Sequence, residues 1–343
     1  MSRTIVDRPQ PSDETPAETA PNAPPPVKVV IRRATELTET ADLAAIGGVV
    51  ADPDALLWID CIDPSPEVVR AIATELGLHP LVAEDITERN QRAKIETFDD
   101  VVHIVMFDLT FQGEVHATEI DIVLSAQFLV TVHGAEWDPR KAAILRVGLD
   151  KILEKGVDYL LYALADDIVD GYFPVLDRLA DEIDQLQDDV VASTSDWSLE
   201  RLFALKRELL AIRRATSPAR EIFNQLTNRE IGGIDDKHVV YFRDVYDHLI
   251  RVTDELDNYR ELVAGTLDIY LSMVNNNLSR IMKRLTGVTV ILAGIGALAG
   301  IFGMSEAGAA FSGAEAGGFW LVTAATVVIA VSAAVVLRRI DWI

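Results

Sequence analysis

Residues 285–302 read LTGVTVILAGIGALAGIF, and residues 319–337 read FWLVTAATVVIAVSAAVVL. Neither stretch contains a charged side chain, and each approaches the ~20 apolar residues that an α-helix needs to cross a bilayer. For either stretch alone, a buried core helix is the alternative interpretation. Because only sixteen residues separate the two, the sequence favours two C-terminal transmembrane helices, over residues 285–303 and 319–337, followed by a tail at 338–343.

The basic residues that flank these stretches predict how the chain is oriented. The pair Lys283–Arg284 precedes the first stretch, the pair Arg338–Arg339 follows the second, and the loop 304–318 contains no Lys or Arg. By the positive-inside rule, both chain ends lie in the cytoplasm and the loop lies outside. The loop's only charges, Glu306 and Glu315, would form an acidic external mouth if several chains surrounded one axis.

The N-terminal segment, residues 1–26, has the composition of a disordered tail. It contains seven of the fourteen prolines of the chain and no apolar core of the kind that a signal peptide carries. Such a segment cannot bury enough apolar surface to offset the entropy lost on ordering. Without an export signal, the domain that follows is expected to remain in the cytoplasm, beneath the cell membrane that the chain crosses.

The net charge of −23 limits the partners of the protein. Binding to nucleic acid needs clustered Lys and Arg, so no nucleic-acid partner is expected. An acidic protein suits the handling of cations, although acidic surfaces are also an ordinary route to solubility. Cys61 lies in an apolar run. Because it is the only cysteine, an intramolecular disulfide and a cysteine-based zinc site are excluded.

Residues 27–150 combine short β-branched runs with two helical patterns that start at prolines. This mixture predicts an α/β domain, although the strand order cannot be derived from it. The expected strands are Val27–Arg32, Leu56–Ile62, Val101–Phe107, Ile120–Leu124 and Gln127–Val132, and the expected helices are Pro66–Leu76 and Pro80–Thr87.

Two helices of opposite charge are predicted over residues 151–234. Residues 156–200 contain twelve acidic side chains and one basic side chain, whereas residues 201–220 contain six basic side chains and one acidic side chain. An acidic helix folded back on a basic helix is the natural arrangement. Two solvated helix faces in a hairpin are the plain interpretation, and the collection of cations near a pore is the alternative.

A long stalk helix is predicted over residues 235–284, continuing into the first apolar stretch. No proline follows Pro218, and the helical pattern has no clear stop before Gly303. Apolar residues recur at alternating spacings of four and three, which is a heptad seam. About 65 residues at ~1.5 Å each would extend roughly 100 Å, and a helix of that length must pack on copies of itself or on other helices. A homo-oligomer is therefore expected.

The first apolar stretch has features of a narrow pore. Gly296 and Gly300 form a small-xxx-small face, which allows close approach of helices in lipid. Neither apolar stretch contains an acid, a base or a histidine, so the proton relays of coupled transporters are missing from both. Small and polar side chains at near-helical spacing fit a pore whose cation keeps much of its water, and a purely structural anchor is the alternative.

Six short motifs occur in order along the chain: HPLVAEDI at 79–86, QRAK at 91–94, YFRDVYDH at 241–248, YLS at 270–272, MKRLT at 282–286 and AGIFGM at 299–304. In sequence and spacing these motifs resemble the CorA family of magnesium and divalent-cation transporters, over the chain from about Val27 to Ile343. The resemblance implies a homopentameric channel with an αβα cytoplasmic funnel. It also implies that the stalk helix continues as the pore-lining first span and that the second span faces lipid.

The resemblance further implies how such a transporter is regulated. A divalent cation would bridge neighbouring subunits through Asp85 of the first motif and Asp244 of the stalk, with Glu84 nearby. Carboxylates suit this role because hard cations prefer oxygen ligands. Bound Mg²⁺ would hold the pentamer closed and its loss would release the funnel, so Mg²⁺ is both the expected substrate and the expected regulatory ligand.

The chain departs from the family pattern at the pore. The family's Gly-Met-Asn signature is Gly303-Met304-Ser305 here, and Ser279 and Gly294 stand where an Asn and a Pro are usual. The resemblance makes magnesium the leading ion. Because the polar side chains at these positions are shorter, and such side chains bear on selectivity, zinc, cobalt or nickel are alternatives. The residues assigned to the pore and its selectivity are Ser279, Met282, Leu285, Thr289, Ala293, Gly296, Gly300, Gly303, Met304 and Ser305.

Two functions of other classes are weighed against transport. A transport-weak relative that senses cytoplasmic metal, or serves as a membrane scaffold, is the first alternative. An enzyme is disfavoured because the sequence has no phosphate-binding loop, no HExxH motif and no recognisable pairing of nucleophile and base.

Overall fold

The computed structural model describes residues 27–192, 195–228, 231–303 and 315–339. The tail expected at 1–26 and the residues Met304, Ser305 and Glu306 lie outside these ranges. The chain divides into two compact units. The first unit comprises the described residues up to Leu176 together with Ala211–Asp254, and the second comprises Asp177–Leu210 and the described residues from Glu255 onward.

A seven-stranded sheet forms the centre of the first unit, in the order β2-β1-β3-β7-β6-β5-β4. Neighbouring strands are antiparallel except β3 and β7, which are parallel. The strands are β1 (Val27–Arg33), β2 (Glu36–Thr40), β3 (Ala55–Ile62), β4 (Lys94–Phe98), β5 (Val101–Phe111), β6 (Val115–Leu124) and β7 (Phe128–His133).

The five strands expected from the sequence are confirmed, and the two strands that the sequence did not reveal are the edges of the sheet. β2 reads ELTET and β4 reads KIETF, so each contains charged residues and few apolar ones. An edge strand pairs on one side only and needs little apolar surface, which explains why the apolar pattern misses both. The charged residues of β4 belong to the candidate site described below.

Helices cover the sheet, and their buried apolar residues pack against it. Buried residues of α1 (Ala45–Val50), α2 (Pro66–Leu76) and α3 (Pro80–Glu88) cluster with alternate residues of β1, β3 and β7. The predicted α2 and α3 are confirmed, whereas the short α1 was not predicted. Two 3₁₀ turns, Pro139–Lys141 and Ala143–Val147, then lead into α4 (Leu149–Leu153).

The structure places three long helices within residues 151–234, where two were expected. The additional helix is α5 (Val157–Asp170), which contacts β3, β5, β6 and β7 because most of its residues are apolar and buried. The expected boundary of the α/β domain at residue 150 lies inside α4. The acidic and basic helices are therefore α6 (Tyr172–Ala192) and α7 (Asp196–Asn228).

Contacts within the second unit join α6 to α7 with the predicted complementarity of charge. Glu182 of α6 forms an ion pair with Arg201 of α7, whose guanidinium also lies 3.0 Å from Glu208 Oε1. In the same unit, Gln187 Nε2 donates to Thr266 Oγ1 at 3.1 Å. The last of these contacts ties α6 to the long C-terminal helix.

That helix, α8 (Val239–Gly303), runs for 65 residues without a break. The predicted uninterrupted helix is confirmed over these residues, and its predicted start at residue 235 is four residues early. Heptad positions such as Val245, Leu249 and Val252 are buried, as the pattern predicted. Farther along, large apolar side chains such as Leu285 and Leu292 are exposed, so the described residues of the chain do not cover this part of the helix.

Among the described residues, one helix is long and apolar enough to cross a membrane, over Val239–Ile301. The second apolar stretch lies in α9 (Glu315–Arg339), a helix of 25 residues that ends with the two basic side chains Arg338 and Arg339.

Candidate functional site

The first predicted metal ligands lie on α3, which the HPLVAEDI motif builds. Pro80 occupies the first turn, and His79 caps it, since its Nδ1 accepts from Leu81 N at 3.2 Å. Val82 and Ile86 are buried against the sheet. This anchoring leaves Glu84 exposed and Asp85 half-buried at the margin of the sheet.

The carboxylate of Asp85 is paired with a lysine of the edge strand β4. Lys94 Nζ lies 2.6 Å from Asp85 Oδ2 and 2.6 Å from Glu96 Oε2. Desolvation acts to lower the pKa of Lys94, but hydrogen bonds to the two carboxylates outweigh it and raise the pKa. A protonated ammonium therefore holds the place beside Asp85 that a divalent cation would take.

Behind this ion pair lies a buried polar pair on β5 and β6. His103 and Asp121 are both fully buried, and His103 Nε2 lies 2.8 Å from Asp121 Oδ1. His103 Nδ1 and Asp121 Oδ2 have no hydrogen-bond partner in the described chain. One ring nitrogen of His103 and one carboxylate oxygen each of Asp85 and Glu96 lie within 4.8 Å of one another.

Glu119 completes the acidic surroundings of Asp85. Its Oε2 accepts from Gln91 N at 3.0 Å. Burial, followed by the charge of Asp121, raises the pKa of Glu119 to about 7. Gln91 belongs to the QRAK motif, so this motif helps to hold an acidic group close to the first motif.

Asp244, the predicted ligand of the stalk, is exposed on α8 close to a second acidic group of the first unit. Ligand atoms of Asp166 and Asp170 on α5 and of His248 on α8 lie within 4.8 Å of one another. Burial raises the pKa of Asp166 to about 6, and the charges of Asp170 and Asp244 contribute to this rise. A divalent cation bound here would offset the repulsion among these carboxylates.

The structure does not bring all predicted ligands together in one chain. Of the groups of described residues that could hold a metal ion, none contains both Asp85 and Asp244. The sequence interpretation missed Glu96 and His103 of the first group, Asp121 beside it, and all three residues of the second group. A single polar residue inside an apolar run, such as the histidine in VVHIV at 101–105 or the aspartate in IDIVL at 120–124, is the signal that points to them.

The predicted pore residues share one face of α8. Ser279, Met282, Leu285, Thr289, Ala293, Gly296 and Gly300 recur at spacings of three and four, and all seven are exposed. A Cβ added at Gly296 or Gly300 would meet no described atom within 4 Å. Thr289 Oγ1 donates to Leu285 O at 2.8 Å, which satisfies this hydroxyl within the helix.

A different face of α8 meets α9. The two helices line a cavity of about 350 Å³ with apolar side chains, among them Ile291, Ile295 and Leu298 of α8 and Ile329 of α9. None of the predicted pore residues lines this cavity. Gly303 ends α8, and Glu315 opens α9, whose first side chains lie outside the description.

The overall arrangement, a sheet domain joined by one continuous helix to apolar C-terminal helices, defines a class of known structures. The complete structure of the CorA magnesium transporter from Methanocaldococcus jannaschii has a TM-score of 0.77 and 23% identity, and the match covers 92% of this chain and 98% of that chain. At this level of identity the likeness shows the fold.

Sequence comparison identifies the family within that class. The chain is 36% identical over 245 residues to the cobalt/magnesium transport protein CorA of Thermotoga maritima, covering 70% of each protein. It is 26% identical over 291 residues to the protein of the same name from Methanocaldococcus jannaschii, covering 84% of this chain and 92% of the relative. The profile of the family described as CorA-like Mg²⁺ transporter protein matches residues 53–339. This chain belongs to the CorA-like Mg²⁺ transporter protein family.

Proposed function

We propose that this protein transports divalent cations across a cell membrane as a homopentamer, with Mg²⁺ as its leading substrate. The observation that carries the proposal is the continuity of α8, which runs from the acidic surface of the first unit at Asp244 to Gly303 in the apolar segment. A continuous helix of this kind would couple a change in the cytoplasmic domain to the apolar segment. The relatives named above supply the substrate class, since their names include cobalt and magnesium.

In the proposed assembly, α8 of each subunit lines the pore and α9 faces lipid. Support comes from the two faces of α8, because the side chains that contact the cavity beside α9 are distinct from the exposed series that runs from Ser279 to Gly300. Helix backbones can approach closely at Gly296 and Gly300, where no Cβ intervenes. A hydrated cation would then pass along small side chains, the Thr289 hydroxyl and helix backbone.

Regulation is proposed to occur at the cytoplasmic surface. Asp85 and Glu84 of one subunit would share a divalent cation with Asp244 of the next, and the closed state would be the one that binds it. Asp166 and Asp170, close to Asp244, add negative charge that attracts the ion. Within each chain the cation must compete with Lys94 for the Asp85 carboxylate, so binding is expected only at high cytoplasmic Mg²⁺.

Flux into liposomes tests the proposal directly. The purified full-length protein should carry Mg²⁺ in a saturable manner, with both termini on the side that corresponds to the cytoplasm, and should exclude Na⁺. Parallel measurements with Zn²⁺, Co²⁺ and Ni²⁺ establish which ion is preferred. Flux no greater than that of empty vesicles would refute transport.

A second candidate function, a metal sensor with little transport, is favoured by the altered signature Gly303-Met304-Ser305. A serine at the external mouth lacks the reach and the paired donor and acceptor of an asparagine amide. The sensor predicts no flux together with a change in protease sensitivity when Mg²⁺ is added. Ser305→Asn separates the two functions further, since in a transporter it should shift the preference among ions, and an unchanged preference would remove Ser305 from the selectivity determinants.

A further inference from the structure

The buried pair of His103 and Asp121 has no role in the proposed transport or in its regulation by Mg²⁺. His103 Nε2 lies 2.8 Å from Asp121 Oδ1, and an ionised carboxylate can only accept, so the tautomer that matches this contact carries its proton on Nε2 and leaves Nδ1 as an acceptor. This nitrogen is buried and has no partner within the described ranges. Buried polar atoms are nearly always paired, and an unpaired imidazole nitrogen of this kind has the electronic form of a metal ligand.

Two carboxylates lie close to this imidazole. Glu96 lies directly opposite His103 in the antiparallel pairing of β4 and β5, and α3 brings in Asp85. Ligand atoms of the three residues lie within 4.8 Å of one another. The Asp85 and Glu96 side chains are 20% and 43% exposed, so a cation can reach both carboxylates from solvent.

Lys94 shows that this position holds positive charge. Its ammonium lies 2.6 Å from each of the two carboxylates, in the place where a cation would be ligated. The lysine stem is long and flexible, so the ammonium can withdraw to solvent when a doubly charged ion arrives. The lysine then acts as a competitor built into the chain.

We propose that Asp85, Glu96 and His103 form a second cation site, contained in one chain, for a divalent ion of the zinc, cobalt or nickel class. Imidazole nitrogen favours these ions, whereas Mg²⁺ prefers oxygen ligands and keeps its waters. Asp121 is the positioning residue, because a carboxylate that accepts from the distal nitrogen fixes the tautomer and the ring orientation. The site goes beyond the proposed function, since it needs neither Asp244 nor a second subunit.

Zinc binding to the full-length protein in detergent tests this site. Titration with Zn²⁺ against a chromophoric chelator should include one binding event per chain that His103→Asn abolishes. Asp121→Asn, which keeps the volume but removes the charge, should weaken binding by about 10–100-fold. The matched control is His116→Asn, which changes an exposed histidine of β6 and should leave the affinity unchanged.

Lys94→Gln provides an independent test if His103→Asn and Asp121→Asn, which change buried residues, fail to fold. Removing the competing ammonium should tighten zinc binding by about tenfold, in line with the 1–3 pKa units by which one neighbouring charge shifts a titration. Co²⁺ provides a second readout, because nitrogen ligation in a site of low coordination number gives visible absorption that His103→Asn should remove. Zinc affinity that is unaltered by Lys94→Gln, or cobalt absorption that survives His103→Asn, would overturn the proposal.

Asp244→Asn distinguishes this site from the proposed regulation by Mg²⁺. The substitution should leave zinc binding unchanged while it alters the response to Mg²⁺. Loss of zinc binding in Asp244→Asn would contradict a site contained in one chain. Flux that responds normally to Mg²⁺ in Asp244→Asn would contradict the regulatory proposal and leave the zinc site standing.

Discussion

The sheet of the first unit and the apolar part of α8 differ in how far the chain itself buries their apolar side chains. Ile122, Ile104 and Trp58 of the sheet are fully buried by other residues of the same chain. On α8, Leu285 and Leu292 are 60% and 63% exposed, and no described atom lies close to the positions that a Cβ would occupy at Gly296 and Gly300. The sheet thus holds the determinants of its own stability, whereas the described residues of the chain leave the apolar part of α8 uncovered.

The largest expected effect concerns stability of the sheet. Ile122→Ala removes a fully buried side chain and should lower the free energy of unfolding by ~2–5 kcal/mol, through lost apolar burial and the cavity that remains. Leu292→Ala, on the exposed part of α8, is the matched control and should leave the unfolding of the first unit unchanged. Denaturation followed by tryptophan fluorescence, to which the buried Trp58 contributes, measures both. Equal losses in the two variants would abolish the contrast.

Assembly of the apolar segment gives the next effect. Gly300→Leu places a large side chain where helices of neighbouring subunits are proposed to meet, and overpacking of this kind costs ~1–3 kcal/mol. Flux should fall by at least about tenfold, the equivalent of ~1.4 kcal/mol, while unfolding of the first unit is unaffected.

The control for Gly300→Leu is Val328→Leu, since Val328 is 64% exposed on α9 and does not line the cavity beside α8. This variant should transport normally. Flux measured in liposomes and oligomer mass measured by light scattering separate a failure of assembly from a blocked pore. Normal flux in Gly300→Leu would remove this glycine from the pore face.

A smaller effect is expected at the proposed regulatory site. Asp244→Asn removes one carboxylate of the proposed regulatory site, and the Mg²⁺ concentration that half-protects the protein from protease should rise by about fivefold, the lower end of ordinary allosteric coupling. Asp247→Asn, on the exposed surface of the same helix, is the control. Identical protection curves for Asp244→Asn and the unaltered protein would argue against regulation through this residue.

The sequence revealed those features that rest on the periodicity of apolar residues. It predicted the five inner strands, α2 and α3, and the long uninterrupted helix α8. The edge strand β4 was missed because KIETF has too few apolar residues to show a pattern. The helix α5 was assigned to the acidic hairpin because of its acidic residues, although most of its other residues are apolar and buried.

Only part of the candidate site could be predicted from the sequence. The motif HPLVAEDI directed attention to Asp85, but the pairing with Lys94 and the approach of His103 depend on the register of β4 against β5. Register is fixed by long-range pairing, and a shift of one residue would turn Lys94 and Glu96 to the opposite face of the sheet. No local pattern in the sequence specifies it.

The smallest effect is a pH dependence that originates at Asp166. Burial raises the pKa of this carboxyl from 3.8 to about 6, the charge of Asp170 adds to the rise, and His248 opposes it. Between these two pKa values, the Asp166 carboxyl therefore keeps its proton in the folded state and has released it in the unfolded state. The resulting stabilisation is complete below the unfolded pKa and is lost as the pH rises through the folded pKa, so stability should decline between about pH 4 and pH 6.

Asp166→Asn isolates this contribution from other titrating groups, such as Glu119 with its raised pKa of about 7. The amide has no charge to titrate, so the difference in stability between this variant and the unaltered protein should change across that pH range. Asp54→Asn, at an exposed turn of the same unit, should show no such change. Urea unfolding at closely spaced pH values provides the measurement, and a constant difference for Asp166→Asn would show that the repulsion among the carboxylates near Asp244 is already relieved in solution.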